Sequence, residues 1–90
     1  MAYFVYILEC SNGSFYTGYT NNLEKRYQEH CEGKGAKYTR SFKPLRIAGS
    51  WLVSDKAQAM RVEACIKKLD RHSKNKLVSM PDKISELFAF

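Results

Sequence analysis

Residues 16–30 contain the spacing in this chain that most suggests chemistry. Polar and apolar side chains recur there at i, i+3, i+4 and i+7: Leu23, Arg26, Tyr27 and His30. On a helix these four side chains share one face, which puts a cation and an imidazole beside apolar groups, as in the wall of an active site. A guanidinium binds anions and an imidazole exchanges protons. The same spacing also suits a plainer arrangement, with Leu23 and Tyr27 in the core and the two polar side chains at its solvated edge.

Several familiar site patterns do not fit the sequence. Residues 33–35 (Gly-Lys-Gly) lack the spacing of a phosphate-binding P-loop. Cys31 is adjacent to His30, where helix geometry points the two side chains apart, and no third group is evident that would orient such a pair. His72 and the scattered cysteines add no zinc-ligand spacing. The sequence therefore argues against a nucleotide site, a cysteine nucleophile and a zinc centre.

A helix has to carry the polar face, and the sequence offers a start for it. Asn21 or Asn22 can accept hydrogen bonds from the first free amides of a helix. Glu24, three residues after Asn21, could return a hydrogen bond as in a capping box. We therefore expect a helix that begins here and includes His30.

A β-hairpin is predicted just before this helix. Residues 3–8 and 14–19 are rich in β-branched and aromatic side chains and flank the turn sequence Ser11-Asn12-Gly13. Strand alternation gives two largely apolar faces: Phe4, Tyr6 and Leu8 on one, and Tyr3, Val5 and Ile7 on the other. The sheet should therefore be covered on both sides. Gly18 interrupts the second strand, which indicates a bend or a close approach to the backbone.

The middle of the chain predicts a loop followed by a third strand. Residues 32–43 contain two glycines and several cations without apolar periodicity, so we expect a loop or broken segment. Pro44 precedes a plausible strand over residues 45–53, with Gly49 as a possible bulge. The odd positions of that strand would face one way: Leu45, Ile47, Trp51 and Val53.

The last third of the chain predicts helices. Ser54 or Asp55 can cap a helix that runs to about Leu69. Its buried stripe would consist of Ala59, Val62, Ile66 and Leu69. Glu63 flanks this stripe and can reach the rim of whatever the helix packs on. A basic run over residues 67–76 continues into a further helix or turn before Pro81, and residues 84–90 are apolar enough to dock on the body.

Size, charge and cysteine usage limit the classes of protein that the chain can represent. Its 90 residues predict one domain, residues 1–90, and the net charge of +6 favours nucleic acid as partner. Three widely spaced cysteines predict buried thiols in a reducing compartment: Cys10, Cys31 and Cys65. The longest apolar run, residues 1–8, is too short to cross a bilayer. We therefore expect a cytoplasmic protein without membrane contact, and a monomer.

The separated polar positions resemble the GIY-YIG nuclease family. Residues 4–6 (Phe-Val-Tyr) correspond to the first half-motif and residues 16–18 (Tyr-Thr-Gly) to the second. Arg26 and His30 follow at the distances that the family shows. Residues 19–23 and 33–40, with Ala59 and Glu63, are similar to the short stand-alone bacterial members of the UPF0213 type.

This resemblance implies an α+β fold with a central three-stranded, mainly antiparallel sheet flanked by about three helices. It also implies cleavage of DNA phosphodiester bonds with one Mg²⁺ or Mn²⁺ ion, on branched or nicked structures in repair or recombination. Glu63 would hold the ion and Arg26 would neutralise the attacked phosphate. Tyr6 and Tyr16 would position or deprotonate water, and His30 would assist proton transfer. Gly18 would be structural at the site.

The chain departs from the family pattern at three positions. Phe4 replaces the glycine of the first half-motif, Thr17 replaces a larger aliphatic residue, and Tyr19 stands where some repair nucleases carry lysine. A phenol with a pKa near 10 is a poor base without a neighbouring cation. Two roles for Tyr6 therefore stay open: it is a general base if the metal or Arg26 lowers its pKa, and otherwise it only aligns the attacking water.

Recognition of nucleic acid is expected to depend on cations and not on base reading. The candidates for phosphate contacts are Lys34, Lys37, Arg40, Lys67, Lys68 and Arg71. No base-reading element is visible, so substrate choice would come from this domain or from a protein partner. Two further hypotheses are a nucleic-acid-binding module of the same fold without catalysis, and a protein-interaction module.

Overall fold

A three-stranded antiparallel sheet forms the centre of the molecule. The computed structural model describes residues 2–88 and orders the strands β2-β1-β3, with β1 at Tyr3–Cys10, β2 at Phe15–Thr20 and β3 at Pro44–Val53. β1 takes the central position because both of its faces carry large apolar side chains that need cover. This confirms the predicted α+β fold with its small antiparallel sheet.

The hairpin of β1 and β2 sets the register on which the candidate site depends. Gly13 has a φ of 83°, a left-handed conformation that glycine adopts without strain, and its amide donates to the carbonyl of Cys10 over 2.8 Å. The resulting register places Tyr6 directly opposite Gly18. The predicted hairpin is therefore confirmed.

The third strand corrects the predicted alternation. The pairing moves from Ile7↔Gly49 to Leu8↔Ile47, which leaves Ala48 as an extra residue, and a second shift leaves Leu45 unpaired. Ile47 pairs with Leu8 and therefore lies on the Tyr6 face, so its predicted place on one face with Trp51 and Val53 is wrong. Leu45 is 64% exposed. The first bulge also lies one residue before the predicted one at Gly49.

Five α-helices and one 3₁₀ turn are present in residues 2–88, more than the predicted three. They are α1 at Leu23–Cys31, α2 at Lys37–Ser41, α3 at Lys56–Lys67, α4 at Arg71–Ser79 and α5 at Ile84–Leu87, with the 3₁₀ turn at Pro81–Lys83. The expected loop over residues 32–43 therefore contains a helix, α2. A helix of five residues is too short to show periodicity, and its side-chain contacts to the site hold it in place.

Asparagine and aspartate side chains start the three longer helices. Asn22 accepts from the Lys25 amide over 3.2 Å, Asp55 from Gln58 over 2.8 Å and Asp70 from Ser73 over 2.7 Å. Asn22 is thus the cap of α1, and because Lys25 occupies the N3 position, the capping box suggested for Glu24 does not form. The helix predicted to reach Leu69 ends at Lys67, and Asp70 starts a separate helix.

Helices cover both faces of the sheet, as predicted. One face of the sheet packs against α3, whose buried residues are Ala59, Val62 and Ile66, and Leu77 and Ile84 extend this core. The opposite face carries Tyr6, which contacts α1 through His30. The predicted docking of residues 84–90 holds for Ile84 and Phe88, which pack on the core, while residues 89 and 90 lie outside the described part of the chain.

The cysteines only partly match their prediction. All three are free thiols, but Cys10 alone is buried, and Cys31 and Cys65 are half-buried on the helices. They lie on three different elements: β1, α1 and α3. None of the helices within residues 2–88 has the length and apolarity needed to cross a membrane.

Candidate active site

The phenol of Tyr6 lies at the centre of the candidate site because Gly18 leaves room for it. A Cβ atom at position 18 would lie 2.6 Å from Tyr6 Oη and 3.3 Å from a ring carbon of Tyr16. Any side chain there would displace at least the first of these rings. The glycine in β2 therefore marks a close approach, one of the two possibilities that the sequence indicated.

His30 is fully buried and both of its ring nitrogens have partners. Nε2 lies 2.8 Å from Tyr6 Oη, and Nδ1 lies 2.6 Å from Thr39 Oγ1. The Thr39 hydroxyl donates its only proton to the carbonyl of Ala36 over 3.0 Å. Nδ1–H must therefore donate to Thr39, which leaves Nε2 to accept from the Tyr6 hydroxyl.

This placement decides between the two interpretations of the α1 face. His30 is buried, whereas Leu23 and Tyr27 are only half-buried. The plainer arrangement, with the two apolar residues as core and His30 at a solvated edge, is wrong. His30 can lie inside because Thr39 and Tyr6 satisfy its polar atoms.

Burial controls the protonation of this pair. Removal from water lowers the pKa of His30 to about 4, and the nearby Arg26 charge contributes in the same direction. Removal from water also raises the pKa of Tyr6 to about 12, although the guanidinium of Arg26 opposes this rise. At neutral pH the site therefore contains a neutral imidazole that accepts a hydrogen bond from a neutral phenol.

Arg26 lies at the open side of the site. Its side chain is 35% exposed and pairs with Glu29 Oε1 over 3.2 Å. Burial lowers the pKa of Arg26, but interaction with the Tyr6 phenol and with Glu29 outweighs this and raises it. An ion pair with this exposure is weak, so a phosphate could replace the Glu29 carboxylate. Arg26 is thus placed to bind an anion next to the Tyr6 hydroxyl.

Glu63 lies on α3, and its charge acts on the site from there. Its side chain is 19% exposed and lies 3.6 Å from Lys67 Nζ, and its negative charge contributes to the raised pKa values of both Tyr6 and Tyr16. Residues 2–88 contain no cluster of three or more His, Cys, Asp or Glu side chains that could hold a metal. A single carboxylate still suits Mg²⁺, which usually keeps several waters and binds one or two carboxylates plus substrate phosphates.

Tyr16 connects the site to α2. Its ring centroid lies 5.3 Å from that of His30 and 6.1 Å from that of Tyr38, on which it stacks at 17°. The Tyr38 hydroxyl in turn hydrogen-bonds to Ser14 and to Asn12 in the hairpin turn. Tyr38 therefore fastens α2 over the hairpin.

Sequence reasoning missed three residues that shape the site. Thr39 orients His30, Tyr38 supports Tyr16, and Gly35 leaves room for the imidazole, since a Cβ there would lie 2.4 Å from His30 Nδ1. The only signal for them was the similarity of residues 33–40 to bacterial relatives. Their roles depend on contacts with β1, β2 and α1 that spacing does not reveal.

The predicted phosphate-binding cations are distributed unevenly around the site. Lys67 lines a pocket next to Tyr16, together with Lys74 of the same basic run over residues 67–76. The guanidinium of Arg71 lies 4.1 Å over the ring of Phe15. The others are exposed further out: Lys34, Lys37 and Arg40 on or before α2, and Lys68 at the end of α3.

The buried His30 predicts a specific loss of stability in acid. Its pKa is about 4 in the folded protein and 6.5 for an ordinary histidine, so between these values the unfolded chain binds a proton that the folded protein does not. The contribution of His30 to the free energy of unfolding should therefore be fully present above pH 6.5. It should be lost as the pH falls towards 4, which lowers the free energy of unfolding by on the order of 2–3 kcal/mol. Urea unfolding across this window measures the effect.

Two variants test whether His30 is the group responsible. His30→Gln should flatten the dependence in this window, whatever its effect on total stability. His72→Gln, which removes the exposed histidine of α4, should keep the dependence of the wild type. If the free energy of unfolding of His30→Gln depended on pH as steeply as that of the wild type, another group would be responsible for the titration.

Comparison with known proteins agrees with this geometry. Residues 2–77 match the GIY-YIG catalytic domain. A UPF0213 protein of Halalkalibacterium halodurans is 49% identical over 80 residues, which cover 89% of this chain and 85% of that protein. A UPF0213 protein of Fusobacterium nucleatum is 43% identical over 82 residues, which cover 91% of this chain and 82% of that protein.

A solved structure has the same fold. The solution NMR structure of a UPF0213 protein from Bacillus halodurans matches with a TM-score of 0.57 and 43% sequence identity, over 99% of this chain and 98% of the other. The family resemblance and the fold inferred from the sequence are therefore both confirmed.

Proposed function

Because this chain belongs to the GIY-YIG catalytic-domain family, we propose that it is an endonuclease that hydrolyses DNA phosphodiester bonds with one Mg²⁺ or Mn²⁺ ion at Glu63. One observation carries this proposal. The Tyr6 phenol hydrogen-bonds to His30, and its pKa responds to Arg26, Tyr16 and Glu63. Tyr6, Tyr16 and His30 are in contact, and the charges of Arg26 and Glu63 act on the Tyr6 phenol.

In this proposal Glu63 binds the metal ion and Arg26 binds the phosphate. When bound, a divalent ion neutralises charge on the phosphoryl group and lowers the pKa of water, and Glu63 is the carboxylate that would hold it. Arg26 would bind the phosphate oxygens from the open side, where a guanidinium can replace its weak contact with Glu29 by a bidentate one. Tyr16 would orient the substrate beside Tyr6.

The neutral Tyr6–His30 pair supports proton transfer without a standing phenolate. The Tyr6 oxygen can accept a proton from the attacking water while its own proton passes along the existing hydrogen bond to Nε2 of His30, which carries no proton. Thr39 keeps Nδ1–H in place, so that Nε2 stays the acceptor. With a pKa near 12, Tyr6 acts here by relay and alignment, and not as an ionised base.

The test of this function is cleavage of mixed DNA substrates by the purified protein. We expect products with Mg²⁺ or Mn²⁺ and none after chelation, and a preference set by DNA shape because the site offers cations but no base-reading element. Branched, nicked, single-stranded and duplex substrates of the same sequence should be compared, with matched RNA. Salt-sensitive binding without cleavage of any substrate would favour a catalytically silent binding module.

A further inference from the structure

A second polar pocket adjoins the candidate site at the edge of the sheet. It has a volume of about 210 Å³ and lies beside β2, the edge strand in the order β2-β1-β3. Its lining residues are Phe15, Tyr16, Thr17, Tyr38, Lys67 and Lys74. They include two cations and no carboxylate, so the pocket suits an anion.

Thr17 adds an independent sign of a missing partner. The residue is 3% exposed, and its hydroxyl oxygen is buried without a hydrogen-bond partner, which holds for no other side-chain atom in the described part of the chain. A buried hydroxyl without a partner is costly and is usually satisfied by protein, water or ligand. The same position carries a larger aliphatic residue, without a hydroxyl, in the general family pattern.

Lys67 lines the pocket and also pairs with Glu63. Its ammonium lies 3.6 Å from the Glu63 carboxylate, and its side chain is 53% exposed. Such an exposed i,i+4 pair is weak and exchanges readily. A divalent ion at Glu63 would displace the ammonium, and the flexible lysine could then turn to an anion in the pocket.

We propose that this pocket binds the DNA phosphate next to the one attacked, through Lys67 and Lys74, and that Lys67 becomes available by leaving Glu63. The inference rests on the proposed function, since it assigns a second phosphate of the same substrate. Tyr16 belongs to both the site and the pocket, so a strand that crosses Tyr16 would meet both. In the free protein, the Lys67 ammonium thus lies beside the Glu63 carboxylate, where the metal ion would bind.

The first test measures binding of a short fluorescent DNA oligonucleotide in EDTA. Lys67→Ala and Lys74→Ala should each weaken binding by about 3- to 10-fold and reduce the slope of log K against log salt by about one. Lys76→Ala is the matched control, because Lys76 lies on the same helix as Lys74 but lines a different pocket. It should change affinity by less than about 2-fold. Equal losses in all three variants would overturn the proposal.

The second test uses the metal alone. Lys67→Met removes the ammonium but keeps an apolar side chain, and it should bind Mn²⁺ about 2- to 5-fold more tightly in the absence of DNA while binding DNA more weakly. Lys74→Met should weaken DNA binding without tightening Mn²⁺ binding. Unchanged or weaker Mn²⁺ binding in Lys67→Met would contradict the exchange.

The two proposals fail in different ways. A wild-type protein that neither binds nor cleaves DNA would remove the proposed function and the pocket together. A wild-type protein that cleaves DNA, with Lys67→Ala and Lys74→Ala behaving like Lys76→Ala, would remove the pocket alone.

Discussion

Glu63→Gln is expected to lose at least about 10³-fold in metal-dependent DNA cleavage, because it removes the carboxylate proposed to hold the ion, whose charge acts on both phenols. Glutamine keeps the size of the side chain and an oxygen atom but not the charge that holds a hard cation. The residue is partly exposed on α3, so the fold should be retained. DNA binding in EDTA should be unchanged or tighter, since a negative charge is lost and Lys67 is released.

A second glutamate provides the control for this variant. Glu86→Gln removes an exposed carboxylate in α5 that pairs with Lys83 over 3.7 Å, and it should cleave DNA at the wild-type rate. Single-turnover rates with Mg²⁺ and Mn²⁺ at saturating protein separate the chemical step from binding. Full cleavage by Glu63→Gln would show that the activity comes from another metal site or a contaminating nuclease.

Tyr6→Phe is expected to lower the rate of the chemical step by about 10²- to 10⁴-fold with little change in DNA affinity. The variant keeps the ring beside Gly18 but removes the hydroxyl that links the water to His30 Nε2. It also leaves that buried nitrogen without a donor, so a loss of about 1–3 kcal/mol in stability is expected. Single-turnover cleavage and urea unfolding measure the two effects.

The matched control for Tyr6→Phe lies on the same strand. Tyr3→Phe changes a tyrosine of β1 that packs against the core on the opposite face, and it should cleave DNA normally. Rates in Tyr6→Phe that equal the wild type, with the stability loss present, would restrict Tyr6 to a structural role.

The sheet could largely be predicted because its determinants are local. The turn at Ser11-Asn12-Gly13 fixes the hairpin register, and that register alone places Tyr6 opposite Gly18. The sequence indicated a bulge of β3 within one residue of its position, but not the second one, because Leu45 is excluded from pairing by how β3 fits against β1. Alternation in the sequence therefore failed at Ile47, beyond the first bulge, while it held at Trp51 and Val53.

The candidate site was predictable in its members but not in its internal contacts. Spacing and the family resemblance identified Tyr6, Arg26, His30 and Glu63. The structure places Tyr6 in contact with His30, and the charges of Arg26 and Glu63 act on Tyr6. The burial of His30 depends on Thr39, which lies in a helix too short to recognise by periodicity. The candidate reactive residues can therefore be predicted from sequence motifs. The residues that support them cannot, because their roles depend on tertiary contacts.

Protonation states also required the structure. The sequence left open whether Tyr6 ionises, because Arg26 would favour ionisation and burial would oppose it. In the folded protein burial prevails, and the pKa of Tyr6 rises to about 12. The same burial keeps His30 neutral, so that Nε2 accepts the hydrogen bond of the Tyr6 hydroxyl.

The most direct test of the account is where a paramagnetic ion binds. In NMR spectra of the wild-type protein titrated with Mn²⁺, the side-chain signals of Tyr6, Tyr16 and Arg26 should broaden first, because an ion held by Glu63 would act on the same site. The same signals should stay sharp in Glu63→Gln. Broadening that is centred elsewhere on the chain, or that persists in Glu63→Gln, would contradict a single metal-dependent site at this place.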